Sequence, residues 1–104
     1  MADVQLIKRW KTIETVLSSA YSALPPPAEA VRAEFQAAVA DYHRFLEHNE
    51  LELALEALEE AAELVSARGG VWRDLERAAQ FMELTNRATA LRSKFLSTIA
   101  GGRE

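Results

Sequence analysis

Cysteine is absent from this 104-residue sequence, which excludes disulfide bonds and zinc sites built on thiolates. Helix breakers are also scarce, because the chain has four glycines and its three prolines are consecutive at Pro25–Pro27. No apolar run approaches the ~18 residues that a membrane-spanning helix needs. The N-terminal segment has an early acid, Asp3, and no continuous apolar stretch, so we do not expect a signal peptide. These absences favour a cytoplasmic protein with no membrane association.

Length and composition indicate one globular domain. A chain of 104 residues that is 49% hydrophobic and 27% charged can bury a core of its own, so we assign residues 1–104 to a single domain. The net charge is −4, whereas nucleic-acid phosphates attract basic proteins. We therefore expect no nucleic-acid partner.

Apolar residues recur every three or four positions along the chain, which is the spacing of helices with one buried face. The first helix is predicted from Asp3, a candidate N-terminal cap, to Leu24. Pro25–Pro27 end this helix, because proline lacks an amide donor and restricts the residue before it. The second helix is predicted over residues 28–47.

The second half of the chain predicts two or three further helices. Asn49 is the expected N-cap of the third helix, with Glu52 three residues later as in a capping box. That helix is expected to end at Gly69–Gly70. A final helical region follows over residues 71–100, and the segment Leu84–Asn86 leaves open whether it is one helix or two.

Short connections between these helices favour antiparallel neighbours. The predicted fold is therefore all-α: an up-down antiparallel helical bundle of four helices, or of five if the last region is divided. Its core is expected to contain the large apolar residues of the helical stripes. These residues are Trp10, Ile13, Leu17, Phe35, Tyr42, Phe45, Leu55, Leu58, Leu75, Met82 and Leu91.

The segment 45–65 concentrates the negative charge of the chain. It contains seven glutamates and no lysine or arginine, so its charge of −7 exceeds the total of −4 and the remainder carries +3. At 100° per residue, most of these glutamates fall on one side of the third helix and the apolar residues on the other. Such a pattern is commonly a solvated helix face, but it is also what a docking face for a basic protein requires. We predict that the partner-binding residues are Glu52, Glu56, Glu59, Glu60 and Glu63.

Patterns for catalysis and metal binding are weak. His43 and His48 lie about 140° apart on a helix, so they would not share a metal, and carboxylates along one helix diverge. Arg44 and His48 resemble the Arg…His motif of HEPN ribonucleases, with three residues between them where that family usually has four to six. We predict no enzyme, no catalytic residue, no metal and no cofactor, and a HEPN-like RNA-processing domain is kept as an alternative.

Each of the two tryptophans has two interpretations. Trp10 lies between basic residues, as an aromatic that stacks on nucleic-acid bases often does, but it falls in the apolar stripe of the first helix, which favours core packing. Trp72 follows Gly69–Gly70 and is also interpreted as a core residue, with an interface role as the alternative.

A resemblance to a known family lies in the middle of the chain. The segment Phe45–Glu50, followed by Leu53–Leu55 and Leu58, resembles a segment of small helical immunity proteins of the MafI type. Trp72–Arg73 and Ala78–Met82 are similar to the C-terminal part of such proteins. The resemblance implies a protein that neutralises a polymorphic toxin secreted by bacteria.

The charge pattern and the resemblance, which spans about residues 42–82, point to the same function. We expect a bacterial immunity protein that binds and inhibits a cognate toxin or effector protein with a basic surface. It is expected to be a monomer or a weak homodimer. The alternative is a small acidic helical chaperone or adaptor for a secreted effector, since such proteins are also acidic and helical but usually dimerise.

Overall fold

A computed structural model describes the backbone of residues 4–101 and the side chains of residues 8–99. Within that range the chain forms five α-helices and no strand, which confirms the predicted all-α bundle. The predicted cap Asp3 lies outside the described residues. The helices are α1 Val4–Ser22, α2 Arg32–Glu47, α3 Leu51–Leu64, α4 Gly69–Phe81 and α5 Thr85–Gly101, and a single 3-10 turn, Glu29–Val31, precedes α2.

Helices α2, α3 and α4 end in the same way, and this corrects the predicted third helix. Asn49, Ser66 and Glu83 each follow one of these helices with a left-handed backbone, at φ values of 56°, 50° and 60°. In each case the next amide reaches back to the last turn, as when Glu50 N donates to Phe45 O at 2.9 Å. Asn49 therefore ends α2 and does not cap α3, whose N-cap residue is Glu50 without a side-chain hydrogen bond.

The glycine pair also has a different role from the predicted one. The third helix ends at Leu64, and Gly69–Gly70 form the first residues of α4. A β-carbon at Gly69 would lie 3.2 Å from the Phe95 ring of α5, whereas one at Gly70 would meet no atom within 4 Å. Gly69 is therefore the point where α4 and α5 approach closely.

The final region consists of two helices, because α4 ends at Phe81 and α5 begins at Thr85.

Helix α4 lies at the centre of the molecule and packs against α1, α3 and α5, while α2 packs mainly against α3. Arg9 bonds Glu83 near one end of the α1–α4 pair and Ser19 bonds Asp74 near the other, so the two helices are antiparallel. The molecule is elongated, with extents of 52 × 29 × 20 Å.

Most of the predicted core is confirmed. The predicted core residues that are buried are Ile13, Leu17, Tyr42, Leu55, Leu58, Leu75 and Leu91. Trp72 is also buried, and its indole Nε1 donates to Ala67 O at 3.0 Å, which confirms its core interpretation.

Four core predictions need correction. Trp10 is 39% exposed, because its indole lines an open cleft with Leu51, Met82 and Leu84 instead of lying beneath them. Met82 and Phe45 are only partly buried at the margin of the core. Phe35 is also partly exposed, because α2 packs mainly on one neighbour.

Candidate functional site

The five glutamates predicted as a binding face lie along one side of α3. We call this set, Glu52, Glu56, Glu59, Glu60 and Glu63, the acidic face. Four of the side chains are exposed and Glu59 is half-buried. The opposite side of α3 supplies much of the core through Ala54, Leu55, Leu58, Ala61 and Ala62. The alternation of leucine, alanine and glutamate in α3 therefore orients the carboxylates outward as the helical period requires.

Arg87 of α5 joins two carboxylates of the acidic face. Its Nη1 donates to Glu59 Oε2 at 2.7 Å, and its Nη2 donates to Glu56 Oε2 at 3.2 Å. Charge-assisted hydrogen bonds of this kind are stronger than neutral ones. The α3 segment contains no cation of its own, so the compensation comes from a helix almost thirty residues away in the sequence.

Lys94 repeats this arrangement two turns further along α5. Its Nζ lies 3.1 Å from Glu63 Oε1 and 5.5 Å from the centroid of the Trp72 ring. Residues seven apart share one helix face, so Arg87 and Lys94 form a basic edge that runs alongside the acidic face. That spacing was visible in the sequence, but the sequence did not show that α5 lies beside α3.

The ionisation of Glu59 reflects two opposing effects. Burial raises the pKa of Glu59 above its ordinary value, and the hydrogen bond and positive charge of Arg87 offset only part of this rise. Burial acts to lower the pKa of Arg87, but its bond to Glu59 and the charges of Glu59, Glu56 and Glu52 outweigh it, so that this pKa is raised. The surroundings of the pair therefore favour the charged form of Arg87 and disfavour the charged form of Glu59.

The acidic face keeps an excess of negative charge after this pairing. Glu52 and Glu60 form no ion pair with any residue whose side chain the structure describes. Glu52 also lines the cleft of about 270 Å³ that contains the exposed indole of Trp10. Leu53, the next residue of α3, is 39% exposed. The surface around the first turn of α3 therefore combines one unpaired acid, Glu52, with apolar groups.

The residues considered for catalysis lie at the C-terminal end of α2. Arg44 pairs with Asp41 at 3.0 Å and stacks over the Phe45 ring, and His48 is the C-cap residue just before Asn49. Within the described part of the chain, no cluster of three or more His, Asp or Glu side chains is arranged to hold a metal ion. In the same part, no helix is long and apolar enough to cross a membrane.

Sequence reasoning missed a second acidic feature, Glu76 of α4. Its side chain is buried, with 3% of the residue exposed. It lines an open cleft of about 420 Å³ between α4 and α5, which we call the Glu76 cleft. The residues that line it are Glu76, Gln80, Glu83, Leu84, Thr85, Ala88, Thr89 and Arg92, and Glu83 is paired with Arg9. The available signal was a glutamate at an interior position of the α4 apolar pattern, one residue after Leu75.

Comparison with protein-family models, with curated proteins and with solved structures finds no match for this chain.

Proposed function

We propose that this protein is a non-catalytic binding protein whose acidic face docks onto the basic surface of another protein. The observation that carries this proposal is the set of five carboxylates on one side of α3, which pair with two cations, Arg87 and Lys94, among the side chains of residues 8–99. A surface with such an excess of one charge accelerates encounter with an oppositely charged partner and disfavours partners of like charge.

The partner class that we propose is a bacterial toxin, which makes this chain an immunity protein acting in the bacterial cytoplasm. The support is the resemblance of residues 42–82 to MafI-type immunity proteins together with the acidic face. Toxins that act on anionic substrates tend to be basic around the active site. An acidic helix laid over such a site would block the substrate without any chemistry of its own.

Two exposed apolar side chains adjoin this docking surface. Trp10 and Leu53 are each 39% exposed, and Trp10 shares its cleft with Glu52. Tryptophan is enriched among the few interface residues that dominate binding energy, and surrounding polar groups exclude water from such anchors. In this proposal Trp10 supplies affinity, and the glutamates supply orientation and speed of association.

The test reverses the two charges that pair with no side chain in the described part of the chain. Glu52→Lys with Glu60→Lys changes the net charge by the same amount as a control pair, Glu34→Lys with Glu47→Lys on exposed positions of α2. Glu56 and Glu59 are avoided because Arg87 holds both. Each pair is co-expressed with the cognate toxin, and the association rate is measured at low and high salt.

The expected result is loss of protection and a slower association rate for the α3 pair, with the control pair close to wild type. Wild-type association should slow as salt rises, since salt screens exposed charges. Full protection by the α3 pair, with an association rate that does not depend on salt, would contradict the proposal and place the interface on another face.

One observation favours the chaperone or adaptor alternative. Leu96 and Ile99, three residues apart near the end of α5, are 52% and 42% exposed, and such a pair could form part of a dimer contact. The alternative requires a stable homodimer, whereas the immunity proposal requires a monomer or a weak homodimer. Measurement of the solution mass by light scattering over a range of concentrations distinguishes them, and Leu96→Glu should dissociate the dimer if one forms.

A further inference from the structure

Glu76 is a charged group in an environment that does not satisfy it. One carboxylate oxygen, Oε2, accepts a hydrogen bond from Gln80 Nε2 at 3.2 Å. The other, Oε1, is fully buried and has no hydrogen-bond partner among the residues that the structure describes. Buried carboxylates are normally paired or fully hydrogen-bonded, because removal of a charge from water is costly. The free oxygen therefore marks a position where a donor is missing.

The Glu76 cleft has the shape and lining for a donor on a long apolar stem. The cleft that Glu76 lines lies between α4 and α5, and its wall includes Leu84 and Ala88. Thr89 adds a hydroxyl oxygen that can still accept, since this hydroxyl already donates to Thr85 O at 3.0 Å. Lysine and arginine side chains combine an apolar stem with a charged end that carries only donors.

Arg92 is the basic residue of the protein that lines this cleft, and it does not bond Glu76. Its side chain is exposed at the rim. If Arg92 turned inward it would satisfy Glu76, so it is the intramolecular competitor for any external cation. This gives the inference a specific control, because removal of Arg92 should make the cleft more receptive.

We propose that the Glu76 cleft receives one basic side chain, an arginine or a lysine, of the protein partner. Its N–H groups donate to the Glu76 carboxylate, which turns toward the open cleft to accept them, while its methylene groups pack on Leu84 and Ala88. This inference rests on the proposed function, because it assumes a basic protein partner, and it adds a second contact point away from the acidic face. An open cleft with one free acceptor binds a small molecule weakly. A side chain of a docked protein is held near the cleft by the other contacts of that protein, so one contact is enough.

The test uses the isolated protein and a small probe. N-acetyl-arginine methylamide is titrated into ¹⁵N-labelled protein, and N-acetyl-citrulline methylamide, which keeps the shape but lacks the positive charge, is the matched control. We expect weak saturable binding of the arginine probe, seen as amide shifts at Gln80, Ala88 and Thr89. The citrulline probe should bind at least about tenfold more weakly, because it cannot neutralise Glu76.

Three variants sharpen the test. Glu76→Gln should abolish binding of the arginine probe and raise Tm, because a buried unpaired charge is removed. Thr89→Arg, which places a guanidinium in the cleft from α5, should also abolish binding and raise Tm, and it keeps the test valid if Glu76→Gln folds poorly. Arg92→Gln should strengthen binding of the probe, since it removes both a like charge and a competitor.

Several outcomes would overturn this inference. Equal binding of the two probes, binding that persists in Glu76→Gln, or no saturable shift at the cleft would each show that Glu76 does not receive a cation, as when buried water satisfies it. A fall in Tm for Glu76→Gln without loss of binding would show a structural role alone. The Glu52→Lys and Glu60→Lys pair should leave probe binding unchanged, so failure here and failure of the acidic face as a docking surface are distinguishable.

Discussion

The carboxylates of the acidic face are exposed to water and partly paired, whereas the carboxylate in the Glu76 cleft is buried and forms no ion pair with any described side chain. The acidic face has five carboxylates close to water, and two cations from α5 approach them. The cleft has one fully buried carboxylate with a free oxygen. Water screens and stabilises exposed charges, whereas a buried charge keeps most of its desolvation cost until a partner arrives. The number of acids in a region is therefore a poor guide to how strongly that region demands a cation.

Two different sides of helix α5 face the acidic face and the Glu76 cleft. Arg87 and Lys94 lie on the side that faces α3, while Arg92 lies about 140° away from Arg87 around the helix and lines the Glu76 cleft. The same helix thus pairs with three carboxylates of the acidic face, but in the part of the chain that the structure describes it forms no ion pair with Glu76. Changes to single residues can separate these effects.

The largest expected effect comes from the packing beneath the acidic face. Leu58 is 1% exposed, and Leu58→Ala should lower the free energy of unfolding by about 2–5 kcal/mol, because it removes core contacts and leaves a cavity. Leu53→Ala, on the exposed side of the same helix, is the matched control and should cost less than about 1 kcal/mol. Urea denaturation measures both. Equal costs would mean that the two sides of α3 are assigned wrongly.

Loss of the shared cation should have the next largest effect. Arg87→Gln leaves half-buried Glu59 without its charged partner and restores repulsion with Glu56, so we expect a loss of about 1–3 kcal/mol. Arg92→Gln, on the other side of α5, should cost little in the same measurement. If the two variants proved equally stable, the bridge between α3 and α5 would have no energetic role and the acidic face would be less compensated than its geometry indicates.

The two glycines at the start of α4 should differ less in their effect on stability, because only Gly69 lies close to α5. Gly70→Ala adds a methyl group in open space within a helix and should raise stability by about 0.5–1 kcal/mol. Gly69→Ala would place its methyl group 3.2 Å from the Phe95 ring, so it should stabilise less than Gly70→Ala or destabilise. Thermal unfolding of the two variants, one residue apart, is the measurement. An equal gain for both would show that α4 and α5 are not in close contact at Gly69.

The smallest effect concerns Glu59, whose burial is intermediate between that of the exposed acids and that of Glu76. Burial raises the folded pKa of Glu59, so its contribution to stability is fully present below the unfolded pKa and is lost as pH rises through the folded value. The stability of Glu59→Gln relative to wild type should therefore increase as pH rises from about 4 to 7. Denaturation midpoints across this range provide the measurement. A relative stability that falls with pH would mean that Arg87 outweighs burial.

Much of the local structure could be predicted from the sequence because it depends on period and composition. The amphipathic pattern of α3 and the buried position of Trp72 each follow from the order of neighbouring residues, whereas the sequence left open whether the chain breaks near Leu84. The left-handed residues Ser66 and Glu83 could not be predicted in this way. Neither is glycine, so they adopt that backbone because the helix-ending hydrogen bonds and the packing of the next helix outweigh its intrinsic cost.

What the sequence by itself determined about this protein is the all-α architecture and the placement of the five carboxylates on one side of α3, since both depend on the geometry of a single helix. Only the tertiary structure decided that Arg87 and Lys94 approach those carboxylates, that Trp10 remains partly exposed, and that Glu76 is buried with a free oxygen. Each of these outcomes depends on which helices are neighbours. Helix periodicity determines the direction of a side chain relative to the axis of its own helix. Burial and ion pairing depend on which neighbouring helix packs against that side chain.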